Sequence, residues 1–167
     1  MAALESFDIT SGCDMQEVDN AVNQARKEIA QRYDFRGLKI EIDLKRTENK
    51  LVLTAPDEFK LKAVVEVLQS KMVRRQVPVK NLHLGKVEQA TLGSARQEIA
   101  IQQGIPTDTA KAIVKFIKDA NLKKVQASIQ GDQVRATAPS RDTLQELIQM
   151  LKGHDFGVEL SFGNYRS

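Results

Sequence analysis

The chain has 167 residues, of which 41% are hydrophobic and 28% charged, and its net charge is +3 at pH 7. This composition is typical of a globular protein with one ordinary core or two small ones. It excludes a disordered chain and a protein that coats DNA with positive charge. No apolar run reaches the roughly 18–20 residues of a membrane-spanning helix, and the N terminus lacks a secretory signal, so we expect a cytoplasmic protein without a membrane partner.

The first half of the sequence predicts the order strand, helix, strand, strand, helix, strand. These elements are a strand at residues 6–10, a helix that follows Asp14 and ends at Gly37, strands at 40–44 and 50–54, a helix that begins at Pro56 and a strand at 82–87. The strands are predicted from alternating polar and apolar residues, and the helices from apolar residues that recur every three or four positions. Asp14 and Glu17 resemble a capping box, and Pro56 suits the first turn of a helix.

The second half predicts the same order of elements. They are a strand at Ile99 and Ile101, a helix introduced by Thr107, strands at 125–129 and 134–136, a helix capped by Ser140 and a strand at 158–162. A short motif also recurs, because Thr54-Ala55-Pro56 and Thr137-Ala138-Pro139 both stand at a strand-to-helix junction. The sequence therefore predicts an internal duplication, with one half at residues 1–90 and the other at 91–167. Each half matches the α+β ferredoxin-like βαββαβ pattern, in which two helices cover an antiparallel sheet.

The sequence does not favour an enzyme. It contains neither of the common glycine-rich phosphate loops, no G-x-S-x-G elbow and no H-E-x-x-H helix. Cys13 precedes a predicted helix, where a thiolate would be favoured, but a small residue in a turn is the simpler interpretation. His83 and His154 have no cluster of ligands around them, so we expect no metal site. We predict no catalytic residue and no cofactor.

Positive charge is concentrated between residues 105 and 141, which contain seven cations and three acids. Lys111, Lys115 and Lys118 are spaced to form one stripe on the predicted helix. The ordinary interpretation of this stripe is a solvated face opposite the buried side of the helix. We expect it to lie across the sheet from the open sheet face, so that a small ligand does not touch both.

The open sheet face of the second half is the predicted binding surface, because its polar residues alternate with the predicted core. The candidate nucleotide-binding residues are Lys124, Gln126, Ser128, Gln133 and Arg135. They offer amides, a hydroxyl and two cations without a carboxylate, a combination that suits phosphate and the ribose or base of a nucleotide. The equivalent strand of the first half exposes Glu41 and Asp43, which would repel phosphate. A face that is solvated, or that packs on the other half, is the alternative interpretation.

An RNA-recognition module has a similar fold pattern, but it stacks bases on aromatic residues of its central strands. The corresponding strands here, at residues 50–53 and 133–136, contain no aromatic residue, and aromatics make up 5% of the chain. These observations disfavour a standard RNA-recognition module and a large stacking platform.

Six stretches, in order and at matching spacing, resemble the YajQ family of bacterial nucleotide-binding proteins over nearly the whole chain. They are Ser6-Phe7-Asp8-Ile9, Tyr33-Asp34-Phe35-Arg36-Gly37, Gln103-Gly104-Ile105, residues 129–135, residues 140–145 and residues 162–166. The resemblance implies two ferredoxin-like domains that exchange their N-terminal strands, and cytoplasmic binding of a nucleotide, a cyclic dinucleotide or an RNA such as tRNA. Ala138-Pro139 stands where relatives often have Gly-Lys, so a ligand contact by that lysine does not transfer.

The leading interpretation is a non-enzymatic nucleotide-binding protein that recognises phosphate and base or ribose groups through a polar, basic surface. The alternative is a protein-interaction adaptor, with a regulatory protein as its partner and no nucleotide ligand. Ligand affinity that falls with salt would favour the first interpretation.

Overall fold

The computed structural model describes residues 4–167, which contain four α-helices and eight strands. In chain order these are β1 (Glu5–Thr10), α1 (Met15–Gln31), β2 (Glu41–Lys45), β3 (Lys50–Ala55), α2 (Glu58–Arg74), β4 (Leu82–Gln89), β5 (Ala95–Ile101), α3 (Thr107–Asp119), β6 (Gln126–Gln130), β7 (Gln133–Ala138), α4 (Arg141–Lys152) and β8 (Ser161–Arg166). The strands form two four-stranded antiparallel sheets, which confirms a mixed α+β fold. No helix in residues 4–167 is long and apolar enough to cross a membrane.

The chain forms two compact units. One is Cys13–Gln103, which we call the central unit, and the other joins the segment that ends at Gly12 to Gly104–Ser167, which we call the terminal unit. The predicted boundary between residues 90 and 91 falls inside the central unit, in the turn between β4 and β5. It falls there because β5 pairs with β3 and β4.

The central unit has the strand order β2-β3-β5-β4, with α1 and α2 packed against each other. Asp14 and Asp57 start these helices by accepting hydrogen bonds from the backbone amides of Gln16 and Lys60. The core is a single cluster from both helices and the sheet, in which Leu51 of β3 lies opposite Ile99 of β5. The strand β5 therefore completes this core from a position late in the unit's sequence.

The terminal unit has the strand order β6-β7-β1-β8, so β1 lies between two strands that follow it by more than 120 residues. Phe7 lies opposite Ala136 of β7, and Ile9 lies opposite Val134 of β7 and Phe162 of β8. Both side chains are fully buried in the cluster formed with α3 and α4. The first strand is therefore a central element of a unit that otherwise comes from the C-terminal part of the chain.

The chain passes from one unit to the other between Gly12 and Cys13 and again between Gln103 and Gly104. Residues next to both crossings form hydrogen bonds with each other inside their own unit. Within the central unit, the Gln103 side chain accepts from the Cys13 amide at 2.8 Å and donates to the Cys13 carbonyl at 2.9 Å. Within the terminal unit, the Gly104 amide donates to the Ser11 carbonyl at 2.8 Å. Gly104 has a φ of +76°, and a Cβ at this position would lie 2.8 Å from the Cβ of Asp132, so the turn requires glycine.

Several predicted elements end or begin at different residues in the structure. The first helix ends at Gln31 rather than Gly37, because Arg32 is extended and Tyr33–Phe35 forms a single 3-10 turn. The predicted strand at 125–129 begins at Gln126, after Lys124 with a φ of 60°. The final strand runs from Ser161 to Arg166 rather than over 158–162, because the pairing with β1 begins at Ser161.

Candidate functional site

The structure places four of the five predicted binding residues on two paired strands of the terminal unit. Gln126 and Ser128 lie on β6, and Gln133 and Arg135 lie on β7, with Ser128 directly opposite Arg135. Lys124 is exposed in the turn that precedes β6, so the prediction that it projects from a strand is wrong. Its left-handed backbone breaks the extended alternation on which that prediction depended.

Arg135 is engaged in an ion pair that sequence reasoning missed. Its Nε donates to Oδ1 of Asp8 at 2.9 Å, and Nδ2 of Asn164 donates to Oδ2 of Asp8 at 2.6 Å. Asp8 lies opposite Arg135 in the sheet and is buried, whereas the Arg135 side chain is 34% exposed. Hydrogen bonds from Arg135 and then Asn164 lower the pKa of Asp8 below its usual value, and the hydrogen bond to Asp8 raises the pKa of Arg135.

This pair changes the charge of the predicted surface. The expectation that the open sheet face carries no carboxylate is wrong, because β1 inserts Asp8 beside β7. One of the two cations assigned to that face is therefore already neutralised within the protein. Alternation along β1 was a sufficient signal for placing Asp8 on a polar face, but not for identifying which strand it would adjoin.

A cavity of about 440 Å³ lies between the end of α3 and the edge strand β6, and we call it the α3–β6 crevice. Its polar lining residues are Lys118, Asn121 and Gln126, and its apolar walls are Val114, Ile117, Leu122, Val125 and Ala127. The volume falls in the range of about 300–1,000 Å³ that is common for small-molecule sites. A recess with apolar walls and a few polar groups can hold a planar ring and orient it.

The α3–β6 crevice also corrects the predicted separation of two surfaces. Lys118 belongs to the basic stripe of the helix, and Gln126 belongs to the predicted sheet set, yet both line the same cavity. They meet because β6 is the edge strand and α3 packs on it, so the end of the helix reaches the rim of the sheet. Lys111 and Lys115 do not line this cavity.

A second cavity of about 300 Å³ in the terminal unit lies beside the start of α4. Arg141, Tyr165 and Arg166 contribute two guanidinium groups and a partly exposed phenol ring, and Glu5 adds a carboxylate. Arg141, Tyr165 and Arg166 belong to stretches that carried the family resemblance, but the pattern of the sequence did not mark them as neighbours. Their proximity depends on the placement of β1 and β8 next to each other in the sheet.

Cys13 and His154, two of the groups considered for catalysis or metal binding, pack against other side chains in a way that fits a structural role. Cys13 is buried, and burial raises the pKa of its thiol to about 11, so it is protonated at neutral pH. The ring of His154 lies 4.9 Å from that of Phe116 and 4.5 Å from that of Phe156. Within residues 4–167, no group of three or more histidine, cysteine, aspartate or glutamate residues could hold a metal ion.

These features define a two-unit α+β protein with a crevice at a sheet edge that combines apolar walls with one lysine and two side-chain amides. The family model described as "Nucleotide-binding protein YajQ-like" matches residues 5–166, and the chain belongs to this family. The resemblance inferred from the six stretches is thereby confirmed.

Relatives match the chain along almost its full length. A protein from Geotalea uraniireducens is 55% identical over 163 residues, covering 98% of this chain and 99% of the relative. One from Trichlorobacter lovleyi is 53% identical with the same coverage, and one from Desulfitobacterium hafniense is 49% identical over 99% of this chain and 100% of its own. Each of the three is named "Nucleotide-binding protein".

Proposed function

We propose that this protein binds a nucleotide, without catalysing its turnover, in the α3–β6 crevice and on the adjoining sheet face. The observation that carries the proposal is that Lys118, Asn121 and Gln126 line one cavity together with apolar side chains. Membership of the YajQ-like family and the names of its relatives support a nucleotide as the ligand. A buried, unpaired cysteine is consistent with the cytoplasm as the compartment.

In this proposal, the crevice would supply three kinds of contact to a nucleotide. The Lys118 ammonium, together with Lys124 from the turn that leads into β6, would contact phosphate as mobile point charges. The side-chain amides of Asn121 and Gln126 can donate to and accept from a base edge or ribose. The apolar walls would cover the base. Since Lys124 is exposed, its contribution should depend strongly on salt.

The other predicted residues extend the site across the sheet. Ser128 and Gln133 lie on the same polar face as Gln126, and Arg135 stands among them, paired with Asp8. We propose that they contact a ligand only when it is long enough to leave the crevice, as a dinucleotide is. A mononucleotide should then depend on Lys118 and be almost indifferent to Ser128.

We further propose that both units are ferredoxin-like modules produced by duplication, each completed by the first strand of the other half. The support is that β2-β3-β5-β4 and β6-β7-β1-β8 have equivalent orders once β1 and β5 are exchanged. A nucleotide site on one unit is compatible with this proposal, because the strands that correspond to β6 and β7 carry different side chains in the central unit.

Calorimetric titration with adenine and guanine mononucleotides and a cyclic dinucleotide tests the site. Lys118→Ala should weaken binding by roughly 10- to 150-fold, which corresponds to one charge-assisted hydrogen bond of about 1.5–3 kcal/mol. The matched control is Lys111→Ala, on the same helix but roughly 10 Å away along its axis, which should change affinity less than about twofold. Arg166→Ala tests the second cavity. Equal losses of affinity in Lys111→Ala and Lys118→Ala, or a loss of affinity confined to Arg166→Ala, would refute the crevice as the binding site.

The alternative is a protein-interaction adaptor without a nucleotide ligand, and one observation favours it. In the central unit, a cavity of about 450 Å³ between α2 and the edge strand β4 has apolar walls that include the exposed Leu84 and Val87. If none of the nucleotides produces heat of binding or raises the melting temperature, the adaptor becomes the better interpretation.

A further inference from the structure

The strand β4 forms an exposed edge of the sheet in the central unit. The strand order β2-β3-β5-β4 leaves one side of β4 without a neighbouring strand among the described residues. Every residue of β4 from His83 to Gln89 is exposed. Such an edge offers unpaired backbone amides and carbonyls to another strand, so proteins commonly cover it or protect it with charge.

Apolar side chains accumulate along this edge. Of the eleven large hydrophobic residues that are exposed within residues 4–167, four lie between positions 79 and 92. They are Val79, Leu84, Val87 and Leu92, and the last of these is fully exposed at the turn that follows β4. Single apolar residues scattered over a surface need no explanation, but their concentration along one edge indicates an interaction surface.

A β-bulge directs two of these side chains to the same face of the sheet. In the pairing with β5, the two residues between Leu84 and Val87 stand opposite a single residue. Leu84 and Val87 therefore share a face although they are three positions apart, and both line the cavity of about 450 Å³ between α2 and β4. Leu61 and Val65 of α2 form its other wall. We call this cavity the α2–β4 groove.

The opposite face of the edge carries one positive and one negative side chain. Lys86 and Glu88 stand on either side of Val87, so the alternation of a strand directs both away from the α2–β4 groove. Glu88 pairs with Arg96 of β5 at 3.4 Å, whereas Lys86 forms no ion pair among the described residues. The bulge and the lysine disfavour pairing with an arbitrary strand, so a strand that pairs here must supply a matching carboxylate.

We infer that this protein forms a two-fold symmetric dimer in which β4 pairs antiparallel with β4 of a second copy, centred on Val87. In this register Lys86 of each copy lies opposite Glu88 of the other, so the interface contains two matched charge pairs. A centre on Lys86 or on Glu88 would instead place like charges opposite each other. The charge pattern thus favours a second copy in one register and disfavours the neighbouring ones.

The same register covers the α2–β4 groove. The two-fold axis would pass through the sheet at Val87, so α2 of both copies would lie on one face of a continuous sheet. Val87 would meet Val87 of the second copy on that face, where the two helices shield the pair from water. Neither copy would then keep a free β4 edge, so the contact closes on itself and does not propagate through β4.

The interface is small, which sets the expected affinity. Residues 85–89 would pair with the same segment of the second copy, whereas standard stable interfaces bury roughly 1,200–2,000 Å². We therefore expect a dissociation constant of about 1–100 µM, at the weak end for specific association. Self-association would explain the exposed Leu84 and Val87 without an adaptor function, and it does not rest on the α3–β6 crevice, which belongs to the other unit.

Sedimentation velocity of the full-length chain between about 1 and 500 µM tests the inference. The wild type should shift from the monomer mass of 18.7 kDa toward twice that mass. Val87→Lys places two ammonium groups at the centre of the interface and should remain monomeric. The matched control is Ile129→Lys on β6, the edge strand of the terminal unit, because Ile129 and Val87 are both 40% exposed. This control should associate as the wild type does.

Two results of this experiment would overturn the inference. One is a wild type that stays monomeric at about 500 µM, which is the result expected if a peptide or another protein occupies the α2–β4 groove. The other is equal behaviour of Val87→Lys and Ile129→Lys, which would show that β4 is not the contact.

Exchange of the two charges tests the register. In Lys86→Glu, and equally in Glu88→Lys, both pairs across the interface become like-charged, so each variant alone should associate roughly 5- to 100-fold more weakly than the wild type. In an equimolar mixture of the two variants, each carboxylate again faces an ammonium group, so a mixed dimer should form with nearly wild-type affinity. A mixture that associates no better than its components would overturn the inference. If Glu88→Lys does not fold after losing its pair with Arg96, the comparison of Val87→Lys with Ile129→Lys decides.

Discussion

Replacing Phe7 by alanine should unfold the terminal unit while leaving the central unit largely intact. Phe7 lies only six residues from the first residue of the central unit, yet its ring is buried among residues of the C-terminal part of the chain. The ring centroid lies 5.9 Å from that of Phe162 and 6.1 Å from that of Tyr165. Removing a buried phenylalanine ring typically costs about 3–5 kcal/mol, since it loses both transfer energy and packing.

A loss of this size is a large fraction of the roughly 5–15 kcal/mol that stabilises an ordinary domain. Phe7→Leu, which keeps an apolar side chain, should cost roughly 1–2 kcal/mol, within the usual range for core substitutions. It would lower the melting temperature of the terminal unit by about 4–16 °C, given about 4–8 °C per kcal/mol for a domain of this size. The milder variant keeps the test valid if Phe7→Ala does not fold.

Hydrogen exchange followed by mass spectrometry shows which part of the chain is affected. In Phe7→Leu, amides of β7, β8 and α4 should lose protection, and amides of α1 and α2 should keep it. The matched control is Ile99→Val on β5, where the lost methylene belongs to the core of the central unit and the pattern should reverse. If Phe7→Leu lowered protection chiefly in α1 and α2, or equally in both units, the assignment of separate cores would be refuted.

Three further predictions concern single sites. The pKa of Asp8 is lowered in the folded state, so its contribution to the free energy of unfolding is complete above the unfolded pKa of about 3.8 and is lost as pH falls through the folded pKa. The midpoint urea concentration of unfolding should therefore fall less steeply below about pH 4 in Asp8→Asn than in the wild type. Cys13, with a thiol pKa of about 11, should react with a disulfide reagent at pH 8 far more slowly in the native protein than in urea, and rapid native labelling would contradict its burial. Gly104→Ala should destabilise the protein more than Gly37→Ala does. Both positions have a φ of +76°, but only at Gly104 would the added Cβ also lie against Asp132. Equal melting temperatures of the two variants would show that Asp132 moves aside.

The sequence predicted most of the local structure because periodicity is a local property. Alternation placed β2 and β3, and helical spacing with an acidic cap placed α1 and α2. What periodicity does not contain is the partner of a strand. The polar face of β1 was visible in Ser6, Asp8 and Thr10, but its contact with Arg135 joins residues 127 positions apart.

The candidate site shows the same division between local and distant information. Gln126 was predicted as a polar residue of the open sheet face, and the structure places it, exposed, on the edge strand β6, where it lines the crevice. Lys118 was assigned to a separate surface, because the helical stripe does not reveal where the end of a helix meets a sheet edge. Lys124 was misplaced because a left-handed conformation in a residue other than glycine leaves little trace in the sequence.

The pairing of β1 with β7 and β8 fixes the order in which the protein can assemble during synthesis. The central unit is one continuous stretch, so its sheet can close soon after Ile101 leaves the ribosome. The first strand leaves earlier, yet its partners end at Arg166, and at about 5–20 residues per second it must wait on the order of ten to thirty seconds for them. During that interval Phe7 and Ile9 have no native neighbours. The nascent chain therefore carries a short N-terminal segment with exposed apolar side chains while the central unit is already folded. A ribosome that stalls before β7 would leave this segment exposed to chaperones and proteases.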